Sequence, residues 1–239
     1  MTEEAHAQLG PDEQAPDGRR LRWTEHRVRR RAAFVVAGTL AIDTYGPEAS
    51  AEQIAETAGV SRTVLYRYFR DREDLRQAIA DEAVAAVVAS VLPKLQLSAD
   101  STPRQAIRSV IEVVVGWLAE HPNMYHFLRD RRSGSALEAV ESTVADQVAA
   151  LLKMFLMFFG IDAAKAEPGA YGIVGFVESS GSWWLARRSM SREKLTEIIC
   201  DGVWYLLDGT ARAANVHVGY DDPLPLEAFG QQGTDQEDS

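Results

Sequence analysis

The chain has 239 residues, 46% of them hydrophobic, with 25 Lys and Arg against 35 Asp and Glu, a formal net charge of −10. That is apolar material enough for one large domain or a small one joined to a larger one, and no 18-residue stretch runs without polar interruption, so no membrane span is expected. The opening MTEEAHAQLG has no basic or apolar targeting pattern, and the single cysteine, Cys200, has no metal-ligand spacing around it, so a soluble cytoplasmic chain with a buried structural thiol is expected.

Charge is unevenly placed. Residues 1–18 hold five acids and no Lys or Arg, residues 19–76 hold twelve Arg against eight acids, and residues 221–239 hold six acids and no base. Both ends are poor in large apolar groups and cannot repay chain ordering by burial, so acidic disordered tails are expected over 1–20 and 214–239. The tails mask RRLRWTEHRVRRR, residues 19–31, where seven Arg face one Glu. This stretch, Arg29 and Arg30 included, reads either as an arm seeking phosphates or as the solvated face of the first helix.

From Val28 to Tyr45 the residues Phe34, Ala37, Leu40 and Ala41 recur at helical spacing, which predicts a helix with one buried face, ended by Gly46-Pro47. SAEQIAETA opens with Ser50 and Gln53 as a capping box and sets Ile54, Ala55 and Ala58 on one side. Gly59 suits a positive φ, and Ser61 can cap a second short helix, RTVLYRYF. Two brief helices around such a corner describe a helix-turn-helix.

Spacing turns Leu65 and Phe69 inward and leaves Arg62, Thr63, Tyr66 and Tyr68 outward. Arg62 can fork to guanine O6 and N7, Thr63 can reach a base edge or phosphate, and Val64 can touch a thymine methyl. The tyrosine hydroxyls suit phosphate oxygens. Asp71 is the expected N-cap of a fourth helix beginning near Arg72.

AEQIAETAGVSRTVLYRYFRDREDL resembles the DNA-binding signature of the TetR family of bacterial transcriptional regulators, and the likeness extends from Phe34 to Leu75. It implies an all-α chain: an N-terminal three-helix helix-turn-helix DNA-binding domain over 21–76, then a larger helical ligand-binding and dimerisation domain over 77–213. It also implies a homodimer on a palindromic double-stranded operator, acting as a repressor released by a small molecule. By resemblance Ser50, Tyr66, Tyr68 and Arg72 fall on phosphate contacts, Arg62 and Thr63 on base readers, and Ser61 on the turn. Two positions depart from the family pattern. Arg72 stands where Lys is usual, and Gly38 where Ala is usual.

Beyond Arg72, helices are expected near 72–97, 103–119, 122–131, 136–160, 167–189 and 191–208. LLKMFLMFFG, residues 151–160, is apolar on nearly every face, so it is either multi-sided core or the wall of a cavity softened by Met154 and Met157. Trp117, Tyr125, Phe127, Phe155 and Trp183 are candidate pocket residues for a hydrophobic effector, lipid-like or acyl-chain. Glu178 reads as a structural carboxylate or a ligand contact. The glycines at 169, 172, 175 and 181 call for close helix packing, and Leu195, Ile198, Ile199, Gly202, Val203 and Leu206 offer a seam for it. By resemblance, the last two long helices form a four-helix dimer interface.

No cofactor motif or nucleophile elbow is present, and His121 and His126 lie five apart, which does not align two metal ligands on one helical face. An enzyme and a scaffold with a degenerate DNA reader are the rival readings.

Overall fold

The computed structural model describes residues 18–98, 100–130 and 136–224, with side chains from Glu25 onward. These residues form α1 (Gly18–Tyr45), α2 (Ala51–Thr57), α3 (Arg62–Leu65), α4 (Arg72–Val91), α5 (Pro103–Glu120), α6 (Pro122–Arg129), α7 (Ala136–Phe158), α8 (Ala166–Arg187) and α9 (Arg192–Arg212). Short 3-10 turns occupy Leu92–Leu95 and Ala163–Lys165, and no strand occurs among the described residues. The fold is all-α, an N-terminal helix-turn-helix domain followed by a larger helical body.

Local chemistry sets most of the boundaries. Ser50 Oγ accepts from the Gln53 backbone N–H at 3.2 Å while the Gln53 side chain accepts from the Ser50 N–H at 2.7 Å, closing the capping box that starts α2. Asp71 accepts from the Asp74 N–H at 2.8 Å to start α4, and Thr102 with Pro103 and Ser191 start α5 and α9 in the same way. Gly59 turns the α2–α3 corner at φ 65°, a conformation that costs glycine little.

Several boundaries move. Helix α1 begins at Gly18, ten residues before the expected Val28, because no proline or glycine separates the arginine-rich stretch from the helix. The backbone of Gly18, Arg19 and Arg20, assigned to a disordered tail, is already helical, while the rest of that tail lies outside the described residues. Leu40 does not belong to the buried face: it is exposed, as is Val36, because the inward stripe of α1 runs through Phe34, Ala37, Gly38, Ala41 and Ile42 on the opposite side. The α4 helix stops at Val91 rather than 97, where Pro93 removes a backbone donor. Gly209 does not stop α9, which continues to Arg212 before Asn215 takes up φ 59°.

The stretch after α9 is also packed, against the expectation of a disordered tail from 214. Tyr220 stacks on Trp204 with centroids 4.7 Å apart and planes at 15°. Arg104 forks to Asp221 at 2.6 and 3.1 Å, and its backbone N–H donates to the Tyr220 carbonyl at 3.0 Å. The Leu224 N–H donates to the Ser101 carbonyl at 2.8 Å. Trp204 and Tyr220 supply the apolar contact that acidic composition alone hides. Residues 225–239 lie outside the described residues.

Two hydrophobic cores result. Phe34, Ile42, Ile54, Leu65, Phe69, Leu75 and Ile79 fill the first together with Met124, Phe127 and Leu128, so α6 packs into the core of the helix-turn-helix domain. Ile111, Val115, Ile173, Val177, Trp184, Leu195, Ile199, Cys200 and Val203 make the second, between α5, α8 and α9.

Candidate nucleic-acid interface and effector cavity

One helical turn, Arg62–Leu65, carries the candidate reading surface. So short a helix is not stable by itself, and its position comes from below: Leu65 and Phe69 are fully buried, and the edge of Tyr68 meets Phe34 with centroids 5.1 Å apart. Above that floor Arg62 and Thr63 are exposed, and Val64, Tyr66 and Tyr68 are half-buried. Ser61 caps the turn by accepting from the Val64 N–H. Ser50 is half-buried in its capping box, and Arg72 is exposed on the first turn of α4, 3.8 Å from Glu48.

Arg62 has a partner that sequence reasoning missed. Its Nη1 donates to Glu52 Oε1 at 2.5 Å, and its guanidinium lies 5.4 Å from the Tyr66 ring centre. The backbone hydrogen bond at Glu52, and with it the charge of Arg62, holds that carboxyl below its usual range. The spacing of ten residues across a turn gives no helical signal, which is why the pair is invisible in the pattern.

The arginine stretch is part of α1 rather than a separate arm. Arg27 and Arg29 are exposed, and Arg30 lies 5.1 Å from the Phe34 ring centre. Arg31 is engaged, donating to Asp74 at 2.9 Å and covering the Phe69 ring at 4.6 Å. The side chains of Arg19, Arg20, Arg22 and Trp23 lie outside the described residues.

Helix α6 ties this domain to the body. Arg76, 5% exposed, stacks at 4.5 Å over Phe127 and donates to Asp130 at 3.2 Å and to the Pro47 carbonyl at 3.4 Å. Nδ1 of His121 lies 2.8 Å from Asp43 Oδ2, and Asn123 donates to the Asp43 carbonyl at 2.9 Å. On the other side of α6, Tyr125 donates to Glu178 at 2.5 Å and receives Arg129 at 3.0 Å, while Arg129 also donates to Ser182 on α8. Burial, and then the bond to Glu178, push the Tyr125 hydroxyl above its usual pKa.

A cavity of about 490 Å³ opens at the opposite end of the body, lined mainly by apolar side chains of α5, α7, α8 and α9. Phe155, Leu151, Leu152, Leu156 and Phe159 of the 151–160 stretch form one wall, while Met154 and Met157 face outward. Of the candidate pocket residues, Phe155 lines this cavity and Trp117, Tyr125, Phe127, Glu178 and Trp183 do not. Phe127 belongs to the core of the helix-turn-helix domain, Trp117 packs beside it near His121, and Tyr125 and Glu178 bond to each other. Trp183 is on the surface. Aromatic size drew attention to these positions, but their helix faces point elsewhere. Val218 and Leu224, which the sequence placed in a tail, complete the cavity wall.

The expected α9 seam divides between two faces. Leu195, Ile199 and Val203 are buried inside the chain, whereas Ile198, Tyr205 and Leu206 are exposed, Leu206 at the cavity, and Tyr171 and Trp183 are exposed on α8. The glycines divide likewise. Gly181 receives Leu118 and Gly202 receives the Phe176 ring, while a Cβ at Gly172 or Gly175 would meet nothing within the chain.

The architecture defines a helix-turn-helix regulator with a helical companion domain. Residues 41–79 match the family described as bacterial regulatory proteins, tetR family, and residues 93–218 match the tetracyclin repressor-like C-terminal domain. An uncharacterised HTH-type transcriptional regulator of Mycobacterium tuberculosis (strain ATCC 25618 / H37Rv) is 33% identical over 202 residues, covering 82% of this chain and 85% of its own. The HTH-type transcriptional activator FasR of Mycolicibacterium smegmatis is 24% identical over 180 residues, covering 74% of this chain and 81% of its own. In structure, the transcriptional regulator FadR of Bacillus subtilis, solved in complex with stearoyl-CoA, superposes with a TM-score of 0.57 at 16% identity over 74% of this chain and 98% of its own. The chain belongs to the TetR family of bacterial transcriptional regulators. Among the described residues, no helix is long and apolar enough to cross a membrane.

Proposed function

We propose that this chain is a homodimeric repressor that binds an inverted-repeat operator with one α3 per half-site, and that an apolar effector in the 490 Å³ cavity releases it. The observation that carries the reading is the exposed Arg62 and Thr63, with half-buried Val64, Tyr66 and Tyr68 beside them in the chain, held above the buried Leu65 and Phe69. In this arrangement Arg62 and Thr63 read bases, and Ser50, Tyr66, Tyr68 and Arg72 bind phosphates, with Ser61 fixing the turn between them. Arg29 and Arg30 add charge from α1 that favours any duplex. The exposed Ile198, Tyr205, Tyr171 and Trp183 are the surface that a second copy covers, the open glycine Gly175 allowing close approach.

The cavity supports an effector with a long apolar part, in keeping with the stearoyl-CoA bound by the Bacillus FadR. An effector seated between α5, α7, α8 and α9 acts on the reader through α6, which bonds to α8 on one side and to α1 and α4 on the other. Release follows if the effector binds more tightly to the conformation in which the two readers no longer match the half-site spacing.

Fluorescence anisotropy on DNA upstream of the gene tests this reading. Arg62→Ala should cost about 1–3 kcal/mol of operator affinity and less on random DNA, and log affinity should fall linearly with log salt. A flat salt response, or equal losses on both DNAs, overturns it.

A further inference from the structure

We infer that the effector is a single-chain amphiphile with an anionic oxygen head group, a carboxylate or a phosphate ester, held by Lys94 and Lys165. This rests on the cavity being the effector site. The chain has only four lysines, Lys94, Lys153, Lys165 and Lys194, and two of them line this cavity from separate segments, the 3-10 turns after α4 and before α8. Both are exposed, and among the described residues neither ammonium has an ion-pair or hydrogen-bond partner.

Among the other polar side chains of the lining, Asp208 is paired through one oxygen only, its buried Oδ1 having no hydrogen-bond partner among the described residues. Asp208 is neutralised by Arg212 at 2.7 Å, and the Thr210 hydroxyl donates to the Leu206 carbonyl at 2.9 Å. The uncompensated charge at the cavity is therefore the two lysines, in a chain whose net charge of −10 repels anions in general. An ammonium is a compact charge with three donors, suited to carboxylate or phosphate oxygens. A neutral apolar ligand leaves both lysines unanswered, and a cationic one is repelled. The wall takes the chain: at roughly 30 Å³ per water-sized group, the 490 Å³ cavity accepts on the order of sixteen such groups, the scale of a long acyl chain.

Calorimetric titration of the full chain below the micelle concentration distinguishes these classes, with four probes of equal tail length: dodecanoate, dodecyl phosphate, dodecanol and dodecyltrimethylammonium. At least one anion should bind ten-fold or more tighter than dodecanol, and dodecyltrimethylammonium should bind weakest. The double variant Lys94→Gln, Lys165→Gln should lose that advantage while dodecanol binding stays unchanged, a pattern that a folding defect would not produce. The anion preferred between carboxylate and phosphate identifies the head. Equal binding of anions and dodecanol, or anion affinity unaltered in the double variant, overturns the head-group assignment and leaves the cavity reading standing. Failure of every probe to bind overturns both.

Discussion

Arg62 on α3 donates to Glu52 on α2 at 2.5 Å, so the guanidinium proposed to read a base is already engaged by a carboxylate in the free protein. Guanine offers that fork two acceptors, O6 and N7, whereas a phosphate on random DNA offers less geometry to compensate for giving up Glu52. The acid also repels phosphates nearby. Glu52→Gln should therefore raise affinity for random DNA about three- to ten-fold, by removing one negative charge from the interface, and raise operator affinity less. Anisotropy on both DNAs at one fixed salt concentration measures the ratio, and an unchanged ratio means the pair has no part in selectivity.

Arg76 is buried between the Phe127 ring and Asp130, where burial drives its pKa below the usual value. Removing it breaks the ion pair with Asp130, itself mostly buried, and strips a cation from an aromatic face. Arg76→Ala should cost about 3 kcal/mol of unfolding free energy, at the lower end for breaking a buried pair, as read from urea denaturation. A loss within about 0.5 kcal/mol, the range of ordinary surface substitutions, is the contrary result.

Gly38 faces Ile79 across α1 and α4, and a Cβ there would overlap the Ile79 side chain. Ile79 is fully buried and has little room to yield. Gly38→Ala gains about 1 kcal/mol of helix propensity and loses about 1–3 kcal/mol to overpacking. The expected outcome is a net destabilisation of up to about 2 kcal/mol, from the same two terms, and relief of the defect in the double variant Gly38→Ala, Ile79→Val.

The strap from Val216 to Leu224 is fastened by exposed polar contacts, chiefly Arg104 to Asp221 and to the Tyr220 ring at 4.1 Å. Because Val218 and Leu224 line the cavity, loosening that fastening should speed ligand exchange. Arg104→Ala should leave the melting temperature nearly unchanged and accelerate hydrogen exchange at the Leu224 amide, bonded to Ser101. Exchange as slow as in the native chain would mean that the Trp204–Tyr220 stack fastens the strap without Arg104.

What the sequence made legible was local. The Ser50 capping box, the Gly59 corner and the inward Leu65 and Phe69 depend on neighbours within a few residues, and the family motif fixes their order. The long-range contacts were opaque: Glu52 with Arg62, Gly38 with Ile79, Arg104 with Asp221, and the burial of Phe127 in the neighbouring domain. The cavity was half legible. An all-apolar stretch at 151–160 pointed to it through Phe155, but no periodicity tells which neighbouring faces complete a wall, so Lys94, Lys165 and Leu224 carried no signal. Gly38 shows the limit most clearly, since its departure from alanine carries no steric meaning until Ile79 is placed opposite.

The brevity of α3 bears on how such a protein changes its target. With four residues in the helix and its shape borrowed from Phe34, Leu65 and Phe69 beneath, Val64, Tyr66 and Tyr68 pack partly on that core, while the exposed Arg62 and Thr63 do almost no structural labour. Mutation can therefore rewrite them one at a time without unfolding the scaffold, and descendants of this gene can drift toward new promoters while keeping the same foundation.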